Sequence, residues 1–211
     1  GSLRLDSIST DGLLLQGAQT FTNTSTGTIS TSVVIANSIK NEAGSFLNEG
    51  EIELGVRDSM GNTGIYNQAQ FTNKNLITIG GDGDVIGLNG IQNVAGGNLL
   101  NRGTINIGTG TAVFLGDGIR NQETFTNDYC AEINLNDNLN NSGTFDNNGV
   151  LNINTNQAHA NTGTFTNRGT VNFLQPGSIP GLINDPFVLT CPDDLPICQY
   201  ASALNLSTLS A

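Results

Sequence analysis

In 211 residues the sequence has no tryptophan, one histidine, one methionine and three cysteines, and only 12% of its residues are charged. Its hydrophobic content of 36% is too low for a thick globular core and too high for a disordered chain. Proline is absent upstream of Pro176, and all five prolines fall between Pro176 and Pro196. Since proline cannot donate to a β-ladder, everything before it is free to pair as strands. Cations are scarce: seven Lys and Arg against eighteen Asp and Glu give a net charge of −11. No two of the seven are adjacent, which argues against nucleic acid, whose phosphates demand clustered positive charge. The same acidity disfavours anionic membranes and discourages self-association, so a monomer is expected. No apolar run approaches the roughly 20 residues of a membrane-crossing helix, and no membrane insertion is expected. Gly1-Ser2 reads as a cloning remnant on a piece of a longer protein.

What the chain does contain is one recurring phrase: Ile-x-Asn, a short gap, Phe-x-Asn, then two apolar residues separated by a polar one. Its Phe position falls at Phe21, Phe46, Phe71, Leu99, Phe125, Phe145 and Phe165. The Asn of Ile-x-Asn falls at Asn41, Asn67, Asn93, Asn121, Asn141 and Asn161. Successive copies lie 20 to 28 residues apart, the period of a stacked repeat. In a strand, residues i and i+2 share a face. In Glu51-Ile52-Glu53-Leu54, therefore, Ile52 and Leu54 point in while the glutamates point out. Stacking the copies in parallel register about 4.8 Å apart turns every position into a column. The phenylalanines become a ring stack, and the asparagines become amide ladders at corners, where Asn tolerates a left-handed backbone. A carbohydrate-binding row is the alternative reading of these asparagines. Gly50, Gly103, Gly149 and Gly169 fit corners that a side chain would crowd.

Rung length changes along the chain. From the apolar pair to the next Ile-x-Asn takes 13 or 14 residues after Ile52, Ile77 and Ile105, but six after Ile133 and eight after Leu151. The extra residues include Val33-Val34-Ile35, Val85-Ile86-Gly87-Leu88 and Val113-Phe114-Leu115. They read as an additional short strand, so the coil is expected to be broad at first and slimmer after about residue 133, with Val56 to Met60 fitting less well. After Phe173 the phrase stops. Residues 175–211 read as a cap or linker, with Ile179, Leu182, Ile183, Phe187 and Val188 covering the last rung. Cys191 and Cys198 flank a short loop that a disulfide would close. Cys130 stands outside that pair, in a two-residue insertion expected at a corner.

Four candidate sites compete with a purely structural reading. His159 replaces the Ile or Leu of the phrase and has no signalled catalytic partner, so a side chain partly covered by the last rung is expected. Gly80-Gly81-Asp82-Gly83-Asp84 resembles a calcium-binding glycine-aspartate turn, with Asp82 and Asp84 as the would-be ligands. It occurs once, whereas such sites are assembled from successive turns, so a plain loop and no cofactor are expected. Asp58, Asp117, Asp137 and Asp146 are the carboxylates a lyase or glycosidase would need, but they read as lying in different register positions without forming a pair. Thr20-Phe21-Thr22, Thr124-Phe125-Thr126 and Thr164-Phe165-Thr166 offer the outward threonine rows of ice-binding surfaces, broken by Leu47, Gln70, Asn98 and Asp146.

Gly163-Thr164-Phe165-Thr166-Asn167-Arg168-Gly169-Thr170-Val171 and Leu100-Asn101-Arg102-Gly103-Thr104-Ile105 resemble the repeats of large bacterial adhesins and exoproteins of the filamentous-haemagglutinin kind. The resemblance covers about residues 13–174. It implies a single-stranded right-handed parallel β-helix serving as a stalk or adhesive surface outside the cell. The expectation is thus an all-β solenoid of about seven rungs over residues 1–174 with a C-terminal cap. Its expected role is non-catalytic, extracellular or cell-surface display towards a surface or glycan ligand. A carbohydrate-acting β-helix enzyme is the alternative, and ice binding a third reading.

Overall fold

The computed structural model describes residues 1–56 and 59–185, and among these there is no helix. Every strand pairs in parallel with its counterpart one copy of the phrase away, so the chain winds into a parallel β-helix. Each full turn visits three faces. The Ile-x-Asn strands, such as Ile91–Asn93, form a seven-stranded sheet. The Phe-x-Asn strands, such as Thr124–Asn127, and the apolar-pair strands, such as Thr104–Ile107, form eight-stranded sheets. Leu99 pairs with Phe71 on one side and Phe125 on the other, as the column reading requires.

Period-two burial explains why these residues choose strands. On the apolar-pair face Ile52, Ile77, Ile105, Ile133 and Leu151 are fully buried, while Glu53, Thr78, Asn106, Asn134 and Asn152 look outwards. The Phe column is closed to solvent from Phe46 to Phe165. Its rings stack at 4.6 Å between Phe46 and Phe71, 4.8 Å between Phe125 and Phe145, and 4.7 Å between Phe145 and Phe165. Leu99 interrupts the ring stack without opening it. Each such side chain contributes about 2–3 kcal/mol by leaving water. A narrow coil collects many of these contributions along its axis although no single rung holds a thick core.

The early rungs carry a fourth, short side. Val85–Ile86 and Val113–Phe114 pair there as a two-stranded sheet, and single bridges join Ile8 to Val34 and Met60 to Ile86. Val34 and Ile86 therefore lie in one buried column with Met60, and Ser59-Met60-Gly61 holds its place in a segment whose sequence fitted the pattern poorly. After Asp117 this lobe is gone, because Leu135 reaches Leu139 through Asn136-Asp137-Asn138 alone. The coil narrows there, as rung length anticipated. Beyond Phe173, Leu182–Asn184 adds one more strand to the Phe face, placing Leu182 over Phe165. Ile179 is buried with the core, whereas Ile183 points outwards at 55% exposure rather than into the cap. Phe187, Val188, Cys191 and Cys198, with the expected bridge, lie outside the described residues.

Candidate functional site

Two internal columns of asparagine run the length of the coil. In the first, Asn41, Asn67, Asn93, Asn121 and Asn141 each donate Nδ2–H to Oδ1 of the asparagine one rung on, at 2.8–2.9 Å, ending on Asn161. In the second, Asn23, Asn48, Asn73, Asn101, Asn127 and Asn147 do the same at 2.7–2.9 Å and reach Asn167. Asn167 then passes the bond to Asn184 at 3.0 Å. The second proton of each amide satisfies corner carbonyls: Asn121 bonds to Glu123 O and Thr144 O, both at 2.9 Å. The first column is fully buried from Asn41 to Asn141, so no ligand reaches those amides.

The left-handed corner backbone expected for these asparagines is not found. Among the described residues only Ser7 and Cys130 combine a side chain with a positive φ. The asparagines close strands with extended backbone and are selected for their inward amide, which replaces the hydrogen bonds a corner takes from the main chain. The glycines beside them answer to a different constraint. A Cβ on Gly103 would lie 2.1 Å from Asn75 O, and one on Gly169 would lie 2.0 Å from Gly149 O. Rungs touch backbone to backbone at these corners. Cys130 does sit at a corner, with φ 63°.

A third ladder, whose linkage was not legible in the sequence, lies on the outside of the apolar-pair face. Asn134 donates to Asn106 at 2.9 Å, Asn152 to Asn134 at 2.8 Å, and Asn172 to Asn152 at 2.8 Å. These bonds run towards the N-terminus, opposite to the internal ladders. The outer amides are half-exposed and so available to a ligand.

The carboxylates separate into distinct places. Asp146 looks outwards from the Phe face between Thr126 and Thr166, and Asp58 lies outside the described residues. Asp117 and Asp137 are brought together, contrary to the expectation of different register positions. Ile119 pairs with Leu139, and each carboxylate lies two residues before that pair, close enough at the step where the lobe ends for the Asp117 charge to act on Asp137. Asp117 accepts Asn138 Nδ2 at 2.8 Å and Asn140 Nδ2 at 3.2 Å, which engages both of its oxygens. Asp137 is only 3% exposed and accepts the Asn138 amide at 2.6 Å. Burial raises its pKa from 3.8 to about 6; the Asn138 bond opposes that rise, the Asp117 charge adds to it, and Gln157 opposes it. Two carboxylates close to one another are what a glycosidase would use. Here, however, one partner is spent on two amides and the other is shut away from solvent.

His159 occupies the Ile column and is buried. Its Nδ1 accepts the Leu139 amide at 3.1 Å, its Nε2 meets no hydrogen-bond partner among the described residues, and burial lowers its pKa. Asp82 and Asp84 do not converge on a common point. Asp84 Oδ2 accepts Gly81 N at 2.9 Å, closing its own turn, while Asp82 Oδ1 accepts Thr111 N at 2.8 Å from the next rung. Among the described residues no three His, Cys, Asp or Glu side chains come together as a metal ligand set. The threonine row is regular only over Thr124, Thr144 and Thr164.

No protein-family model, no curated protein and no solved structure matches this chain.

Proposed function

We propose that this chain is a non-catalytic rod segment of an extracellular bacterial surface or secreted protein, which displays long polar faces for adhesion. The observation that carries this reading is the pair of internal amide ladders, unbroken across the rungs. Continuous ladders spend the polar chemistry of the sequence on axial stiffness. The surface they leave is a set of repeated stripes, of which Asn106, Asn134, Asn152 and Asn172 form one. Identical amides at rung spacing suit weak, multiplied contacts with a repeating ligand such as a glycan. The test is retention on an immobilised glycan panel, comparing the wild type with a variant carrying N134A and N152A. Retention that is weakened in the variant, with the glycan recovered intact, supports the reading. Unchanged retention in the variant, or no retention at all, removes the adhesive role.

The second reading, a carbohydrate-acting β-helix enzyme, is favoured by the Asp117–Asp137 pair alone. Turnover of any member of the same panel, abolished by D137N, would replace the adhesive reading.

A further inference from the structure

The side lobe stops in mid-coil, and its last strand keeps an open edge. Val113 N donates to Asp84 O at 2.9 Å and Leu115 N to Ile86 O at 3.0 Å, so these two residues turn their main-chain groups to the rung below. Phe114, between them, turns both N–H and C=O the other way. The next rung passes by, since Asn136 N bonds to Ile107 O at 3.0 Å and the chain reaches Leu139 without entering the lobe. Among the described residues no strand pairs with Val113–Phe114 on that side, so both groups of Phe114 lie on the open edge. Phe114 as a whole is only 8% exposed, and its ring seals the lobe from above. It fills space left by Gly80, Gly90 and Gly108, on each of which a Cβ would come within 3.1–3.2 Å of the ring.

The flanks of this edge are apolar where a solvated strand would be polar. Val113 is 50% exposed and Leu115 69%. The stripe continues down the lobe through Val85 and Leu88 to Val33 and Ile35. An open strand edge with apolar flanks is a pairing template that proteins normally blunt with charge or proline.

We propose that this edge pairs with the same edge of a second copy of the chain, antiparallel about a two-fold axis at Phe114. The free groups select that occupant. One residue with both N–H and C=O unpaired is fully satisfied by its own symmetry mate, because facing residues of an antiparallel pair exchange both bonds. The same axis sets Val113 opposite Leu115 of the second copy, and Leu115 opposite Val113 of the second copy, so each exposed flank is covered by an apolar one. The step supplies the room: the broad half of one molecule lies beside the narrow half of the other. A two-fold contact closes on itself, so the product is a dimer and not a fibre. The net charge of −11 on each copy opposes the contact, so added salt strengthens it. This self-association reverses the monomer expected from composition.

The test is sedimentation velocity with light scattering on the full chain over a concentration series. The wild type is expected to dimerise with rising concentration. V113K/L115K, which sets four like charges across the axis, is expected to dimerise at least about tenfold more weakly. V113E/L115K places each Glu opposite a Lys of the other copy and is expected to recover dimerisation. Both side chains are exposed, so thermal midpoints stay within a degree or two of one another. Amide exchange at Phe114 in the wild type provides an independent reading, with protection at high concentration that disappears on dilution. A wild type that stays monomeric up to its solubility limit overturns the proposal. So does a V113E/L115K variant as monomeric as V113K/L115K, or a Phe114 amide whose exchange ignores concentration.

Discussion

Leu139 donates its main-chain N–H to the side chain of His159, at 3.1 Å from Nδ1. The residues above it in the same column, Ile39, Ile65, Ile91 and Ile119, all donate to a backbone carbonyl one rung on. An imidazole therefore stands in for a peptide oxygen at the last full rung, and it can do so only while Nδ1 is unprotonated. Burial holds its pKa below the ordinary 6.5. Above pH 6.5 the folded and unfolded chains are both neutral here and nothing is lost. As pH falls through 6.5, the unfolded chain takes a proton that the native chain refuses, and stability drops until the lower, folded pKa is passed. Urea midpoints of the wild type and H159L, measured from pH 8 down to pH 4.5, should diverge below about pH 6.5, with the wild type losing ground. A constant difference across that range would show that the native imidazole takes up its proton as readily as the unfolded one and is already solvated.

Asp137 has the opposite sign. Its pKa, pushed up to about 6 by burial, lies above the ordinary 3.8. Its contribution is fully present below pH 3.8 and is lost as pH rises through about 6, so at neutral pH the buried charge is a burden on the fold. At 1.4 kcal/mol per pH unit the ceiling of that burden is about 3 kcal/mol. The bonds from Asn138 and Gln157 are already included in that pKa. D137N keeps an oxygen for the Asn138 amide and should raise the urea midpoint at pH 7.5, with the gain fading as pH falls from about 6 and gone below about 4. Destabilisation at pH 7.5 would mean that the native carboxylate is better solvated than its burial implies.

Gly163 and Gly17 make a clean contrast between two uses of glycine. A Cβ on Gly163 would lie 2.0 Å from Gly143 O, a main-chain atom that cannot give way, whereas Gly17 has open space around it and a φ of 81°. G163A should therefore force adjacent rungs apart and cost more than about 2 kcal/mol, while G17A should cost only the strain of a left-handed alanine, about 1 kcal/mol. Equal losses in the two thermal midpoints would deny that rung contact is what excludes side chains at such corners.

The columns of Phe21 to Phe165 and Asn41 to Asn161 were legible because each repeats a residue type at a recurring offset, and parallel stacking needs nothing more. The Asp117–Asp137 pair was not read, although the signal was present: each carboxylate lies two residues before the apolar residue that opens its Ile-x-Asn strand. Seeing it requires knowing that the narrow rung skips the lobe, so that a deletion of eight residues leaves both ends of the gap in register. The corner asparagines were assigned to the right columns for an incomplete reason. Propensity favours Asn where φ is positive, but tertiary context used the amide and left the backbone extended. Phe114 as a plug could be recognised only once Gly80, Gly90 and Gly108, dispersed along the chain, were seen to surround one ring.

Asn121 and Asn172 make amide–amide bonds of the same length, 2.8 Å, one inside the coil and one on its surface. Asn121 is fully buried. It accepts from Asn93, donates to Asn141 and also serves the carbonyls of Glu123 and Thr144. Removing its amide strands a donor on Asn93 and an acceptor on Asn141, both fully buried, while Glu123 O keeps its bond from Thr144 N. Buried unsatisfied groups cost about 1–3 kcal/mol each, so N121A should lose at least about 3 kcal/mol even after relaxation. Asn172 lies on the surface, where water replaces the lost partner, and N172A should change stability by less than about 0.5 kcal/mol. Urea denaturation of the two variants therefore compares a buried, fully engaged amide with a single surface bond. Comparable losses would mean that the internal columns are hydrated, and the stiffness attributed to them would go with that result.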